Sequence, residues 1–215
     1  MKYLKMLGLA AVAAASMMAF VGTGTASANT ILCETTITTG CASDWDWKVG
    51  ATMKFSLKSG VSAKLTDTSG FITIDTCTEA TVTGTLARTT TPQGTVSASG
   101  VDWGGCTRTT DTVTAGELEI HHISNTHNGT VTATGFAVTI PFSSSTCAYG
   151  FTATRDIGTL VTSADGLDAE LVINTNVDLI SSHSSASGCP SSGKWTATYT
   201  QTPDPTETKL YIATS

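Results

Sequence analysis

Apolar and polar residues alternate along most of the chain, which is the pattern of β-strands that bury one face. In one stretch, Leu118 and Ile120 alternate with Glu117, Glu119 and His121. Threonine and other β-branched residues dominate such segments, which favours strands over helices. The pattern predicts strands over 52–57, 62–67, 71–77, 80–86, 95–103, 116–124, 130–139, 149–154, 158–163, 169–177, 195–201 and 209–213.

Short strands separated by Gly-, Ser- and Pro-containing turns are typical of all-β domains. We therefore predict an all-β fold, an antiparallel β-sandwich or a partly closed β-barrel of about 10–12 short strands, stabilised by disulfides. At Gly135 the alternation changes phase, because Val131 and Ala133 occupy odd positions and Phe136 and Val138 even ones. This change predicts either a β-bulge or a short turn between two strands.

The beginning of the chain has the pattern of a secretory signal peptide. Two lysines precede an uncharged apolar run over 6–21, and Ala-Ser-Ala at 26–28 is a small-residue cleavage site. The apolar run is too short for a comfortable membrane span. We expect a signal peptide over 1–28, a single all-β domain over 29–215, and no transmembrane anchor after cleavage.

Charge and composition argue against some classes of binding partner. Cleavage removes two lysines and no acidic residue, so the formal net charge of -6 becomes -8. An acidic chain argues against binding to nucleic acid and against electrostatic binding to membranes. Hydrophobic residues make up 40% of the chain, which argues against disorder.

The six cysteines of the exported part predict three disulfides, because an even count outside the cytosol favours pairing. Cys33 and Cys41 enclose a short turn that ends in Gly40, so we expect these two to pair. For the other four the sequence leaves the connectivity open. The hypothesis is pairing between neighbours along the chain, Cys77 with Cys106 and Cys147 with Cys189.

The segment Asp44, Trp45, Asp46 and Trp47 is a candidate ligand site. On a strand, the two tryptophans share one face and can form a platform for sugar rings. The two aspartates on the other face can accept hydrogen bonds from sugar hydroxyls or bind calcium. The alternative is that the tryptophan face is core and the aspartate face is solvated.

Three residues in the centre of the chain are candidate metal ligands: Glu119, His121 and His127. His122 points away from His121, since neighbours on a strand face opposite sides. Zinc sites require three or four ligands at short, defined spacings, which this group lacks. We expect polar surface residues here, and no metal or cofactor.

No catalytic motif is present in the sequence. It contains no G-x-S-x-G nucleophile elbow, no H-E-x-x-H pair and no Gly-rich phosphate loop. A carboxylate pair for glycoside cleavage can be drawn from the 17 acidic residues, but the sequence places no two of them at a working separation. We predict no catalytic residues and no enzyme activity.

The chain contains an early cysteine pair and the stretches DTCT at 75–78, WGGCT at 103–107, ELEIH at 117–121 and CPSSGKW at 189–195. These features resemble a family of secreted, Thr/Ser-rich actinobacterial all-β proteins with paired cysteines, and the resemblance covers nearly the whole mature chain. It implies an exported all-β protein and carries no substrate, ligand or catalytic residue.

These observations predict a secreted, non-enzymatic protein of the extracellular space or cell surface, with a structural or binding role. A cell-wall polymer, a glycan or a second copy of the chain are the expected partners. The alternative is a carbohydrate-binding module or glycan hydrolase that uses Trp45, Trp47 and nearby carboxylates.

Overall fold

The computed structural model describes residues 30–34, 41, 47–88, 94–108, 112–114, 116–142, 145–180, 188–202 and 209–214, so the predicted signal peptide lies outside this part. No helix in it is long and apolar enough to cross a membrane. All strand pairings are antiparallel. The strands are β1 (Thr30–Cys33), β2 (Thr52–Leu57), β3 (Ala63–Asp67), β4 (Thr73–Arg88), β5 (Gly94–Cys106), β6 (Thr112–Thr114), β7 (Glu117–His122), β8 (Gly129–Thr134), β9 (Ala137–Phe142), β10 (Ser145–Gly150), β11 (Arg155–Thr162), β12 (Ala169–Leu179), β13 (Ser192–Thr202) and β14 (Tyr211–Thr214).

Eight strands form a closed barrel. Hydrogen bonding runs from β2 through β4, β5, β7, β8, β11, β12 and β13 and back to β2. Closure leaves no free sheet edge around the ring. The predicted all-β, antiparallel fold is confirmed, and the architecture is a fully closed barrel with extra strands.

The four longest strands, β4, β5, β12 and β13, extend beyond the ring, and β4, β12 and β13 pair there with extra strands. At that end β3 lies between β13 and β4, as β2 does within the ring. A three-stranded flap of β10, β9 and β6 is attached to the end of β12, where Tyr149 pairs with Leu179 and Gly150 with Asp178. In the described residues no ladder joins β6 to the neighbouring β5.

Side chains from alternate strand positions fill the barrel. Trp195, Ala197 and Tyr199 of β13 point inward, as do Leu171 and Ile173 of β12. An eight-strand barrel is just wide enough for such side chains to fill. Apolar cavities of about 20 and 30 Å³ remain, which is about the size of one or two water molecules. The interior is therefore a packed core.

A two-stranded ribbon of β1 and β14 covers one end of the barrel. Leu32 and Ile212 face each other on this ribbon and are buried with the barrel core. The His122 amide donates to the Thr30 hydroxyl at 3.0 Å, which ties β1 to the end of β7. The Leu210 amide donates to the carbonyl of Gly166, in the turn between β11 and β12, at 2.9 Å. The first and last described strands thus cover this end of the barrel together.

All three predicted disulfides are confirmed. Cys33 pairs with Cys41, Cys77 with Cys106, and Cys147 with Cys189, and the described residues include no free cysteine. The second bridge joins directly opposed positions on β4 and β5. The third fastens β10 of the flap to the segment that leads into β13.

The phase change at Gly135 marks a short turn, not a bulge. Gly135 has a φ of 79° and separates β8 from β9. Its amide donates to the Phe151 carbonyl at 3.2 Å, and the Phe151 amide donates to the Phe136 carbonyl at 2.9 Å. The chain leaves the barrel for the flap at this point, so the predicted strand over 130–139 is two strands.

Gly158 of β11 allows close approach of β12. A Cβ at this position would lie 1.9 Å from the Val172 carbonyl oxygen, so the backbone would have to move. We expect Gly158→Ala to lower the free energy of unfolding by roughly 1–3 kcal/mol, measured by urea denaturation. Gly100→Ala is the matched control, because a Cβ there meets nothing within 4 Å. Equal stability of the two variants would contradict this prediction.

Candidate functional site

Trp47 is a core residue. Its side chain is only 1% exposed, and its indole Nε1 donates to the Lys209 carbonyl at 2.9 Å. Its amide donates to the Leu32 carbonyl at 2.9 Å, which ties this segment to the terminal ribbon. The indole offers no face to a sugar ring, so the predicted platform is not formed by Trp47. Residues 44–46 lie outside the described residues.

The candidate metal ligands do not converge. Glu119 Oε2 lies 3.8 Å from His121 Nε2, and the Thr132 hydroxyl is 3.4 Å from the former and 3.5 Å from the latter. His127 packs its ring edge-on against Tyr211, with 5.5 Å between ring centroids. In the described part of the chain, the ligand atoms of Glu119, His121 and His127 do not all lie within 4.8 Å of one another.

The Asp75 carboxylate has a structural role. It is buried, and its Oδ1 accepts hydrogen bonds from the Thr76 amide (2.8 Å), the Thr107 hydroxyl (2.6 Å) and the Arg108 amide (3.1 Å). These bonds hold the segment after β5 against β4. Asp75 also lies close to the sulfurs of Cys77 and Cys106. Those sulfurs are bonded to each other, so they provide no thiolate for a metal.

An aromatic cluster fills the barrel where the extra strands begin. The rings of Trp103 and Trp195 lie 5.9 Å apart, and Tyr199 is fully buried. In the described part of the chain, neither indole nitrogen nor the Tyr199 hydroxyl has a hydrogen-bond partner. Desolvation raises the pKa of Tyr199, and the nearby Trp103 only partly offsets this rise. The adjoining cavity of about 30 Å³ leaves no room for an organic ligand.

An open groove of about 480 Å³ lies on the outer wall of the barrel. It arises because β2 and β3 pair with the same side of β13, β2 with 199–202 and β3 with 193–196. The connection over 58–62 passes the gap between them and is anchored by a 2.9 Å bond from the Lys58 amide to the Thr198 carbonyl. We call this feature the β13 groove; its polar lining residues are Ser62, Lys64, Asn174, Thr196 and Thr198, and Val61 lines it beside them.

The β13 groove presents hydroxyl, amide and ammonium groups. Thr196 and Thr198 point outward because Trp195 and Ala197, which alternate with them, point into the core. No histidine, cysteine or carboxylate is among the residues that line the groove. Such a lining can bind a hydroxylated or anionic ligand through hydrogen bonds.

The charges around the groove are distributed unevenly. At one end, Lys58 forms an ion pair with Glu170, which lies opposite Thr200 of β13. At the other end are Lys64 of β3 and Lys194 of β13, and within the described residues neither forms an ion pair. The second end is therefore locally basic in a protein that is acidic as a whole.

The sequence pattern alone does not identify the residues of the β13 groove as a site. The alternation over 195–201 indicated that Thr196 and Thr198 lie on a polar face. The approach of Lys64 to Thr196 depends on strand register, and the 130 or so intervening residues carry no signal for it.

Comparison with protein-family models, with curated proteins and with solved structures found no match for the chain. The class is therefore defined by the fold alone, a closed antiparallel β-barrel with extra strands and three disulfides. Three disulfides indicate a protein that matures in an oxidising compartment.

Proposed function

We propose that this protein is a secreted, non-enzymatic binding protein of the extracellular space or cell envelope. The observation that carries the proposal is the contrast between the packed barrel interior and the open, polar β13 groove on the outer wall. In the described part of the chain the barrel interior has only small cavities, so we place recognition on its outer surface.

Export is supported by the disulfides and by the signal-peptide pattern over 1–28. The resemblance to secreted, Thr/Ser-rich actinobacterial proteins agrees with export but adds no ligand. A cell-wall polymer or another glycan is the partner we propose. Such polymers are extended and rich in hydroxyl groups, which match the lining of the groove.

Filling the groove tests this proposal. Thr196→Trp places an indole on the groove floor, so we expect about a tenfold or greater loss of co-sedimentation with purified cell-wall polymer. Thr130→Trp is the matched control, because Thr130 is exposed on β8, on another wall of the barrel. Failure of the wild-type protein to bind any wall preparation, or equal binding by both variants, would reject the proposal.

A further inference from the structure

Lys64 and Lys194 lie close together on the outer wall at the basic end of the β13 groove. Lys64 pairs with Thr196 across β3 and β13, and Lys194 is two residues from Thr196 on the same face. Such a diagonal pair lies about 7–8 Å apart in an antiparallel sheet. Both side chains point outward, since Leu65 and Trp195 beside them are buried.

We infer that these two lysines bind an anionic group, a phosphate or carboxylate, carried by a hydroxyl-rich polymer in the groove. This inference rests on the proposed function and specifies the chemical class of the ligand. The ammonium groups of two lysines attached at neighbouring positions repel each other, and an oxyanion bound between them replaces this repulsion with attraction. Within the described chain, no carboxylate is paired with either lysine.

The rest of the groove fits the same ligand. Thr196, Thr198 and Asn174 continue from the lysine pair towards Lys58 and provide hydroxyl and amide groups for the uncharged part of a repeating unit. Glu170 neutralises Lys58 at the far end, so the positive charge is concentrated at Lys64 and Lys194.

The acidic net charge does not prevent this interaction. At physiological ionic strength, exposed charges more than about 8 Å apart are largely screened from each other. A polyanion therefore experiences mainly the charges that it contacts directly, and at this end of the groove these are cationic. High salt screens the contacts as well, so binding must weaken as ionic strength rises.

Titration with three purified polymers tests the inference: poly(glycerol phosphate), polygalacturonate and uncharged dextran. We expect both polyanions to bind at least about tenfold more tightly than dextran, with affinity falling as salt is raised. The relative affinity of the two polyanions distinguishes phosphate from carboxylate as the preferred group. Equal binding of dextran and the polyanions overturns the inference.

The lysine pair is tested by a matched pair of double variants. Lys64→Gln with Lys194→Gln should weaken polyanion binding at least about tenfold and flatten its salt dependence. Lys48→Gln with Lys54→Gln removes the same charge outside the groove and should bind like wild type. Thermal unfolding of both double variants confirms that they are folded.

The outcomes separate this inference from the proposed function. If Thr196→Trp abolishes polymer binding but the variant lacking both groove lysines binds normally, the groove is a binding site and its selectivity for anions is rejected. If Thr196→Trp and the lysine variant both bind normally, the groove is not the binding site and both proposals are rejected.

Discussion

Removing the disulfide between Cys147 and Cys189 is expected to lower the free energy of unfolding by about 4 kcal/mol. The bridge spans 42 residues, and closing a loop of this length in the unfolded chain accounts for a loss of that size. Denaturant unfolding of the Cys147→Ala, Cys189→Ala double variant measures it. The effect is large because a typical domain has only about 5–15 kcal/mol of stability.

The location of this bridge predicts where the protein opens first. Besides the bridge, the flap is held by the short β10–β12 ladder, by a 3.0 Å hydrogen bond from the Tyr149 hydroxyl to the Pro190 carbonyl, and by the burial of Ile140 and Tyr149 in the main core. Without the bridge, amide hydrogens of β9 and β10 should exchange faster, while those of β7 and β8 remain protected.

The bridge between Cys33 and Cys41 provides the comparison. Its sequence separation is 8, so the same loop-closure argument gives a loss of about 2.5 kcal/mol for the Cys33→Ala, Cys41→Ala variant. This bridge is attached to β1 of the terminal ribbon at Cys33, so amide hydrogen exchange should become faster in the ribbon and not in the flap. A larger loss from the shorter loop, or uniform exchange in both variants, would contradict the argument.

The fold class and most strands were predictable because alternation reports burial directly. The bounds of β2 match the predicted 52–57. The alternation over 195–201 also predicts which residues of β13 are buried and which lie on its outer face. The two predicted strands over 71–77 and 80–86 form the single strand β4, because β5 pairs with it on both sides of Thr78. Exposed Thr78 and Glu79 break the alternation in sequence without breaking the ladder.

Features that depend on pairing between distant parts of the sequence could not be predicted from alternation. The short strands β1 and β6 gave no signal because each pairs along one edge only and is too short for a repeating pattern. Whether the sheet closes depends on the pairing of β2 with β4 and β13, which no local pattern specifies. The candidate site depends on the pairing of β3 with β13, since its register brings Lys64 near Lys194.

The burial of Trp47 shows a related limit. A Trp-x-Trp repeat on a strand indicates that both rings share a face, but it does not show whether that face is core or solvent. Trp47 is buried because it packs against the terminal ribbon, where the backbone carbonyls of Leu32 and Lys209 accept its hydrogen bonds. Those partners are distant in sequence, so the local pattern alone does not decide between the two alternatives.

Two buried tyrosines give the fold a predictable sensitivity to alkali. Desolvation raises the pKa of Tyr149 to about 12, and it also raises the pKa of the fully buried Tyr199. In the unfolded chain both ionise near the ordinary value of 10.0. Above that pH the unfolded chain loses protons that the folded protein keeps, so the folded state becomes less stable as pH rises.

Tyr199 alone is therefore expected to lower the free energy of unfolding by about 1.4 kcal/mol for each pH unit above 10. Urea unfolding between pH 8 and pH 12 measures this slope, which Tyr149 should steepen up to its own folded pKa of about 12. Tyr199→Phe should reduce the slope and cost little near neutral pH, because its hydroxyl has no hydrogen-bond partner in the described chain. Tyr149→Phe is the contrasting variant, since it loses the bond to Pro190 and should be about 1 kcal/mol less stable at neutral pH. If Tyr199→Phe keeps the wild-type slope, the folded protein does ionise Tyr199, and the barrel interior around it is open to water.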